Sequence, residues 1–191
     1  MKIEICLYRK KFPNHSLLFL LLYYPGLRAT ILIRFSQWLY KNKISFLAYF
    51  IVTINDFLHG VWVGPRARIG EGLFLGHPRG LVINPEAKIG KYCSVVQQVD
   101  IGGPCTIIGN YVNFGAGAKV ISTNERPVTV GDFVYIGAGA IVTKDVPDFS
   151  VVVGVPAKVI RKMSDTEIQD HWKDQINCSK ENIKPSNIKK G

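Results

Sequence analysis

His77 is the residue whose type and setting most plainly could do chemistry. It lies in the segment Leu75-Gly76-His77-Pro78-Arg79-Gly80-Leu81. An imidazole with an unperturbed pKa of about 6.5 is substantially neutral at pH 7 and can take the proton of a hydroxyl. Pro78 and Gly80 suit a fixed outward loop around it. Arg79 beside it could bind an anionic acceptor or form a salt bridge. His15 and His171 read instead as surface or helix residues. The four cysteines, Cys6, Cys93, Cys105 and Cys178, contain no CxxC pair. They read as a reducing-compartment pattern, not as a disulfide framework or a zinc site. Walker motifs, metal-ligand spacings and nucleophilic serine elbows do not occur, so the expected chemistry is acid–base catalysis without a metal.

The framework for such a loop shows in the spacing of aliphatic residues. From Val63 to Thr143 the chain is a ladder with rungs at Val63, Ile69, Leu75, Ile83, Ile89, Val95, Ile101, Ile108, Phe114, Val120, Val130, Ile136 and Val142. Nine of its twelve steps are six residues long. Neither an amphipathic helix nor an alternating strand has that period. A fixed six-residue repeat specifies a parallel β-helix, three steps to each triangular coil. The aliphatic residue points inward, and the residue after it, often glycine, sits at a corner and accepts the backbone angles of a tight turn. Two positions before it stand small or β-branched residues: Ala67, Ala87, Cys93, Val99, Thr106, Val112, Ala118, Val128, Val134 and Ala140. These fit a narrow interior. Thirteen rungs predict roughly four coils. A β-sandwich of short strands would instead alternate with period two. The three irregular steps mark outward loops: residues 76–80, residues 102–107, and residues 122–127 with Asn124, Glu125 and Arg126 at the tip.

The composition of the 191 residues, 47% hydrophobic with a formal net charge of +10, suits one core with a small appendage. Residues 1–60 hold eight basic and two acidic residues, residues 61–160 nine and seven, and residues 161–191 seven and five. The excess therefore lies on the N-terminal segment and not in a nucleic-acid stripe. A basic, apolar N-terminus can suit an anionic membrane surface, but the favoured reading is a helical packing unit with a solvated basic edge. The apolar runs at 17–24 and 46–54 are each too short to cross a bilayer, and the N-terminus lacks the features of a signal peptide. The expected location is the cytoplasm, with weak peripheral contact to the inner face of the membrane.

Along the chain, Pro13-Asn14 marks a break and residues 16–24 read as an apolar helix. Pro25-Gly26 is a turn signal. Residues 27–40 and 44–58 read as two further helices, and this N-terminal unit, residues 1–60, is expected to cap the open end of the β-helix, residues 61–160. Gly154 and Pro156 end the solenoid with a turn. Ser164-Asp165-Thr166-Glu167 is a capping box that starts a short helix over about 165–177. Residues 178–191 read as a polar, frayed tail.

The ladder, the loop at His77, GAGAKVI at 115–121, IGAGAIV at 136–142 and VGVPAKVI at 153–160 together resemble the hexapeptide-repeat acyltransferases. Within them the chain looks most like the serine acetyltransferase branch, which includes small acetyltransferases of polysaccharide biosynthesis. The resemblance covers roughly residues 24–163. It implies a left-handed parallel β-helix with an N-terminal helical cap, a homotrimer, acetyl-CoA as donor, and an active site in the groove between neighbouring subunits. His77 is then the general base. Arg79, Asn84 and Glu125 are candidate acceptor contacts, and His59, near Asp56, is a candidate support for the subunit seam. Phe74, Tyr92, Phe133 and Tyr135 are candidate subunit-face residues. Gly102 and Gly103 are candidates for the oxyanion or the pantetheine arm. The arm would lie beside Gly115, Ala116, Ala118, Gly137 and Ala138, with Lys144 and Lys158 toward the CoA phosphates.

Three departures bear on the acceptor. Where the serine acetyltransferases have an aspartate before the catalytic histidine, this chain has Gly76. Where they have the acid that pairs with that histidine, it has Trp62. Where they have a long loop carrying an arginine and a second histidine, only residues 104–107 separate Gly103 from Ile108. These departures favour an O-acetyltransferase acting on a sugar or glycan hydroxyl. The alternatives are a serine O-acetyltransferase and a non-catalytic trimeric scaffold.

Overall fold

A computed structural model describes residues 2–182. Four helices come first: α1 (Lys2–Lys11), α2 (Leu17–Tyr23), α3 (Pro25–Lys41) and α4 (Ser45–His59). Fifteen short strands then wind into three parallel sheets. The first sheet stacks β1 (Val61–Val63), β4 (Leu81–Ile83), β7 (Asp100–Gly102), β10 (Lys119–Ile121) and β13 (Ile141–Val142). The second stacks β2 (Arg68–Ile69), β5 (Lys88–Ile89), β8 (Thr106–Ile108) and β11 (Val128–Val130). The third stacks β3 (Phe74–Leu75), β6 (Ser94–Val95), β9 (Asn113–Phe114), β12 (Tyr135–Ile136) and β14 (Ser150–Val153), with β15 (Lys158–Lys162) returning antiparallel on β14. The five strands of the first sheet mark about five turns of coil, one more than the rungs predict. The last rung, Val142 on β13, opens the fifth coil, which continues past the ladder through the Val130–Val146 bridge and β14.

The inward rule holds along the ladder. All ten small or β-branched positions are buried, and nine of them, all but Thr106, share one continuous core with the rungs, of which Ile69 alone is only partly buried. The reason for the glycines differs from the expectation. Gly90 and Gly115 are not among the positive-φ residues. They are there because coils approach closely: a Cβ on Gly90 would stand 2.4 Å from the Gly109 oxygen, and one on Gly115 would stand 2.5 Å from the Ala138 nitrogen. The left-handed corner between the second and third sheets is instead occupied by Tyr92, Tyr111, Phe133 and Phe149, with φ between 53° and 58°. Their rings stack at 5.1, 4.6 and 5.5 Å, so the ladder of rings offsets the backbone strain at each step.

The N-terminal unit closes the first coil as expected, through specific hydrogen bonds. Tyr8 donates its hydroxyl hydrogen to the Leu75 carbonyl. Arg34 donates to the carbonyls of Ile69 (2.7 Å) and Gly70, Gln37 donates to the Ala67 carbonyl (2.9 Å), and the Gly72 N–H donates to Glu4 (3.2 Å). The edge groups of the first coil are thus paired inside the protein. Arg34 and the fully buried Glu4 form a 2.8 Å ion pair. The Pro25-Gly26 turn signal is corrected: Pro25 begins α3, and Gly26 is helical because α3 presses on Leu75, whose oxygen would lie 1.9 Å from an added Cβ.

At the other end the capping box forms as expected, yet the helix breaks at Trp172 into α5 (Asp165–His171) and α6 (Lys173–Asn182). Trp172 is fully buried, edge-on to Phe133. The reading of the cysteines is also corrected: Cys6 on α1 and Cys178 on α6 form a disulfide across 172 residues of sequence. Helices α1 and α6 are in contact. Cys93 is buried in the coil, its thiol pushed up to about 12 by desolvation.

Candidate active site

The triangular cross-section has three corners, and the candidate residues divide between two of them. The corner leading from the third sheet to the first carries residues 76–80, then Val96-Gln97-Gln98, Gly115-Ala116-Gly117, Gly137-Ala138-Gly139 and finally Gly154. Backbone hydrogen bonds run down it: Gln98 N–H to the Arg79 oxygen at 3.0 Å, Gly117 N–H to Gln97 at 3.0 Å, and Gly139 N–H to Ala116 at 2.8 Å. His77 therefore heads a column of small residues, with coils spaced about 4.8 Å apart. From His77 to Ala138 the column runs three coils, roughly 14 Å.

Beside this column lies a groove of about 400 Å³ lined by Gly76, His77, Val96, Gly115, Ala116 and Ala138. His77 is exposed and Pro78 beneath it is buried. The loop is braced from α4, whose left-handed cap residue Gly60 accepts a 2.7 Å hydrogen bond from the Gly80 N–H. The groove's other wall is Tyr8, Lys11, Phe12 and Tyr24 of the N-terminal unit. The ladder pattern contains no sign of these four, because they come from outside it and are brought in by the packing of α1 on β3. Ser94, Asn113 and Tyr135 also line the groove. Each precedes an inward rung on the third sheet, which was the available signal for an outward residue there.

Other candidates fall elsewhere. The corner from the first sheet to the second carries Asn84, Gly102, Gly103, Glu125 and Lys144, so within one protomer these are separated from His77 by the width of the first sheet. The Asn84 side chain accepts from the Glu86 N–H at 2.9 Å, which makes it a turn residue. The loops 102–107 and 122–127 lock together through Thr106 Oγ1 donating to Ser122 Oγ at 2.8 Å and Cys105 N–H donating to the same oxygen at 3.1 Å. Arg126 and Lys144 share a concavity of about 520 Å³ at this corner. Lys158, paired in register with Val153, lies at the far end of the His77 column. Ala118 is fully buried inside the coil, so its expected ligand contact is corrected. Arg79 passes close to Gly60 at the end of α4. A larger open concavity of about 1100 Å³ on the second sheet contains no histidine, cysteine or carboxylate among its lining residues.

His59 does not contact the loop chemistry directly. Its Nδ1–H donates to Asn55 Oδ1 at 2.9 Å and its Nε2 accepts from Arg28 Nε at 3.3 Å. Burial first, then the charges of Arg28 and Arg79, hold its pKa below the ordinary value, so it is a neutral structural link. The expected subunit-face residues are corrected as well. Phe74 lies under Tyr8, Tyr135 meets His171 of α5, and Tyr92 and Phe133 belong to the corner stack. On the third sheet's outer face α1 packs over Phe74 and α5 over Tyr135, whereas Trp62 and Val82 stand exposed on the first sheet.

A parallel β-coil with a corner histidine heading a glycine–alanine column is the arrangement that the resemblance to the left-handed β-helix acyltransferases implies. No family model matches the chain. It is 38% identical over 149 residues to a serine acetyltransferase of Helicobacter pylori J99, covering 74% of this chain and 85% of that one. It is 38% identical over 147 residues to a serine acetyltransferase of Synechococcus elongatus, covering 73% of this chain but only 59% of that longer protein. Among solved structures it superposes on Neisseria gonorrhoeae serine acetyltransferase in complex with serine with a TM-score of 0.76 at 31% identity, covering 84% of this chain and 67% of that one. The Brucella abortus serine acetyltransferase in complex with coenzyme A gives 0.77 at 31%, covering 85% and 67%. The chain belongs to the serine acetyltransferase family of CoA-dependent acetyltransferases. The sugar or glycan acceptor expected from the three departures is overturned, since these relatives and structural neighbours are serine acetyltransferases.

Proposed function

We propose that this chain transfers the acetyl group of acetyl-CoA to the side-chain hydroxyl of serine. The observation that carries the reading is His77 at the head of a small-residue column that opens into a groove, in a chain 38% identical to a serine acetyltransferase over 85% of that relative's length. His77 takes the hydroxyl proton as the serine oxygen attacks the thioester carbonyl. The tetrahedral intermediate then loses the thiolate, which takes that proton back from the imidazolium. Gly115, Ala116 and Ala138 let the extended pantetheine arm approach the backbone, and Lys158 at the column's far end meets its phosphates. Lys11 is the cation in the groove with His77, 4.5 Å above the Phe74 ring, and it takes the acceptor carboxylate in place of the missing loop arginine.

The complete site needs a second copy. The first sheet is bounded by both functional corners. Three triangular coils arranged with their first sheets toward a three-fold axis bring the His77 corner of one copy against the 102–107 and 122–127 loops of the next. Gly102, Gly103, Glu125 and Lys144 then act from the neighbour, with the Gly103 turn as the source of oxyanion donors. Trp62, Val82 and Ile121, each roughly two-fifths exposed, support this seam. Thiol release from acetyl-CoA by the purified full chain tests the reading. Release that depends on serine is expected. Release with hexose acceptors and not with serine, or no acceptor-dependent release, overturns it.

A further inference from the structure

Helix α4 is built inside out. It turns Ala48, Val52, Asn55 and His59 inward and its rings outward. Phe46 is 87% exposed and Phe57 86%, with Tyr49 and Phe50 about half exposed between them. The polar face cannot rotate away, because it is hydrogen-bonded: Asn55 donates to the Ala29 carbonyl at 3.3 Å and accepts from His59, which in turn accepts from Arg28. The same Arg28 donates to the carbonyls of Leu21 (2.9 Å) and Leu22. It thereby brings the end of α2, with Leu22 71% and Tyr23 66% exposed, to the end of α4. At the opposite end of α4 the α3–α4 link exposes Trp38, Lys41, Lys43 and Ile44. An apolar surface this extensive on a folded chain marks an interaction site.

We propose that this face docks, lying in the plane, on an anionic lipid bilayer. Its charge argues for lipid over protein. The face itself carries Lys41 and Lys43 exposed at one end and Asp56 exposed beside Phe57 at the other, a net basic balance. Acidic headgroups neutralise the exposed Lys41 and Lys43 at one end of the face. Trp38, Tyr49 and Tyr23 combine an apolar body with a polar tip, the composition of a membrane–water interface. Crossing the bilayer does not fit: no single described helix is long and apolar enough, and α2 and α3 meet at 89°. An exposed apolar helix face with lysines at one end fits an interfacial helix. The proposal does not depend on the reaction assigned above.

Co-sedimentation of the full chain with phosphatidylcholine–phosphatidylglycerol vesicles tests it. The wild type is expected to sediment with these vesicles and to bind pure phosphatidylcholine less. Phe46→Ser and Phe57→Ser each lower the partition coefficient by about tenfold, the loss for withdrawing one ring from apolar surroundings. Lys41→Glu and Lys43→Glu each lower it about fivefold or more on acidic vesicles only. All four positions are exposed, so thermal melts of the variants stay at the wild-type value. Wild type remaining in the supernatant overturns the proposal, as does a ring variant that partitions like wild type. So does a wild type that ignores vesicles but forms a larger assembly than the ring variants in sedimentation velocity, which would assign the face to a second copy.

Discussion

Replacing His77 by alanine separates catalysis from folding in one substitution. The ring is exposed, and among the described residues no hydrogen bond or ion pair holds it. Substitutions at such surface positions usually change stability by less than about 0.5 kcal/mol, which for a chain of this size moves Tm by no more than about 2 °C. Removing a general base costs about 10²- to 10⁴-fold in rate, equivalent to about 2.7–5.5 kcal/mol of transition-state stabilisation. The lower end is expected here. Trp62 stands where the family resemblance places the acid that orients the histidine, so the ring lacks the partner that would hold it for proton transfer. CoA affinity should be unchanged on the proposed mechanism, in which the imidazole acts on the acceptor hydroxyl and not on the nucleotide. The assay is serine-dependent thiol release, with CoA titration and a thermal melt on the same preparation. A variant retaining more than about a third of the wild-type kcat/KM would place the base elsewhere.

Four further outcomes are expected. Ala138→Phe, which fills the groove at an exposed alanine, should raise the KM for acetyl-CoA by about tenfold or more while leaving Tm in place, read by initial rates against acetyl-CoA. If the chain assembles through the first sheet as proposed, Val82→Asp on that exposed face should give smaller species in sedimentation velocity and cut activity in parallel, since a seam site needs its neighbour. Stability should fall with acidity: His59 has a folded pKa below its unfolded value of about 6.5, so the unfolded chain takes up protons first, and stability present above that pH is lost as pH drops below it. Thermal melts between pH 7.5 and 5 should show this slope, shallower in His59→Gln. Reducing the Cys6–Cys178 disulfide, which closes a loop of 172 residues, should lower stability by up to about 5 kcal/mol. Cys6→Ser should show the lower value with or without reductant.

The coil was legible in the sequence because each rung repeats one local rule: an aliphatic residue inward, a small residue two before it, a close approach after it. Ten buried positions from Ala67 to Ala140 follow from that rule alone. The histidine was legible because an insertion into so regular a repeat must protrude. What was not legible depends on distance in the chain. Tyr8, Lys11, Phe12 and Tyr24 reach the groove only because α1 packs on β3, a contact across more than sixty residues that no spacing encodes. The Cys6–Cys178 bond joins the two ends for the same reason, and a count of scattered cysteines read it as free thiols. The corner glycines were found for the wrong reason. Their role is to let adjacent coils touch, while large rings hold the left-handed corner, tolerated because each stacks on the next.

The division of the candidate residues between two corners links the fold to the assembly. A β-helix corner is a rigid edge, and residues at two corners of one triangle cannot converge by any loop motion short of unwinding the coil. His77 and the Gly102-Gly103 turn act together only if a second molecule supplies one of them. The third sheet is the poorer contact, since α1 and α5 pack on it and a disulfide ties α1 to α6. The first sheet lies between the two corners and leaves Trp62 and Val82 exposed. On this geometry Trp62 takes a different role from the acid it replaces. In the proposed assembly it contributes apolar area to the seam, where the family resemblance places a carboxylate that orients the histidine. Proton transfer then depends on how firmly the Pro78–Gly80 segment and its hydrogen bond to Gly60 hold the ring, so α4, which carries the proposed membrane-facing rings, also ends at the residue that braces the candidate catalytic loop.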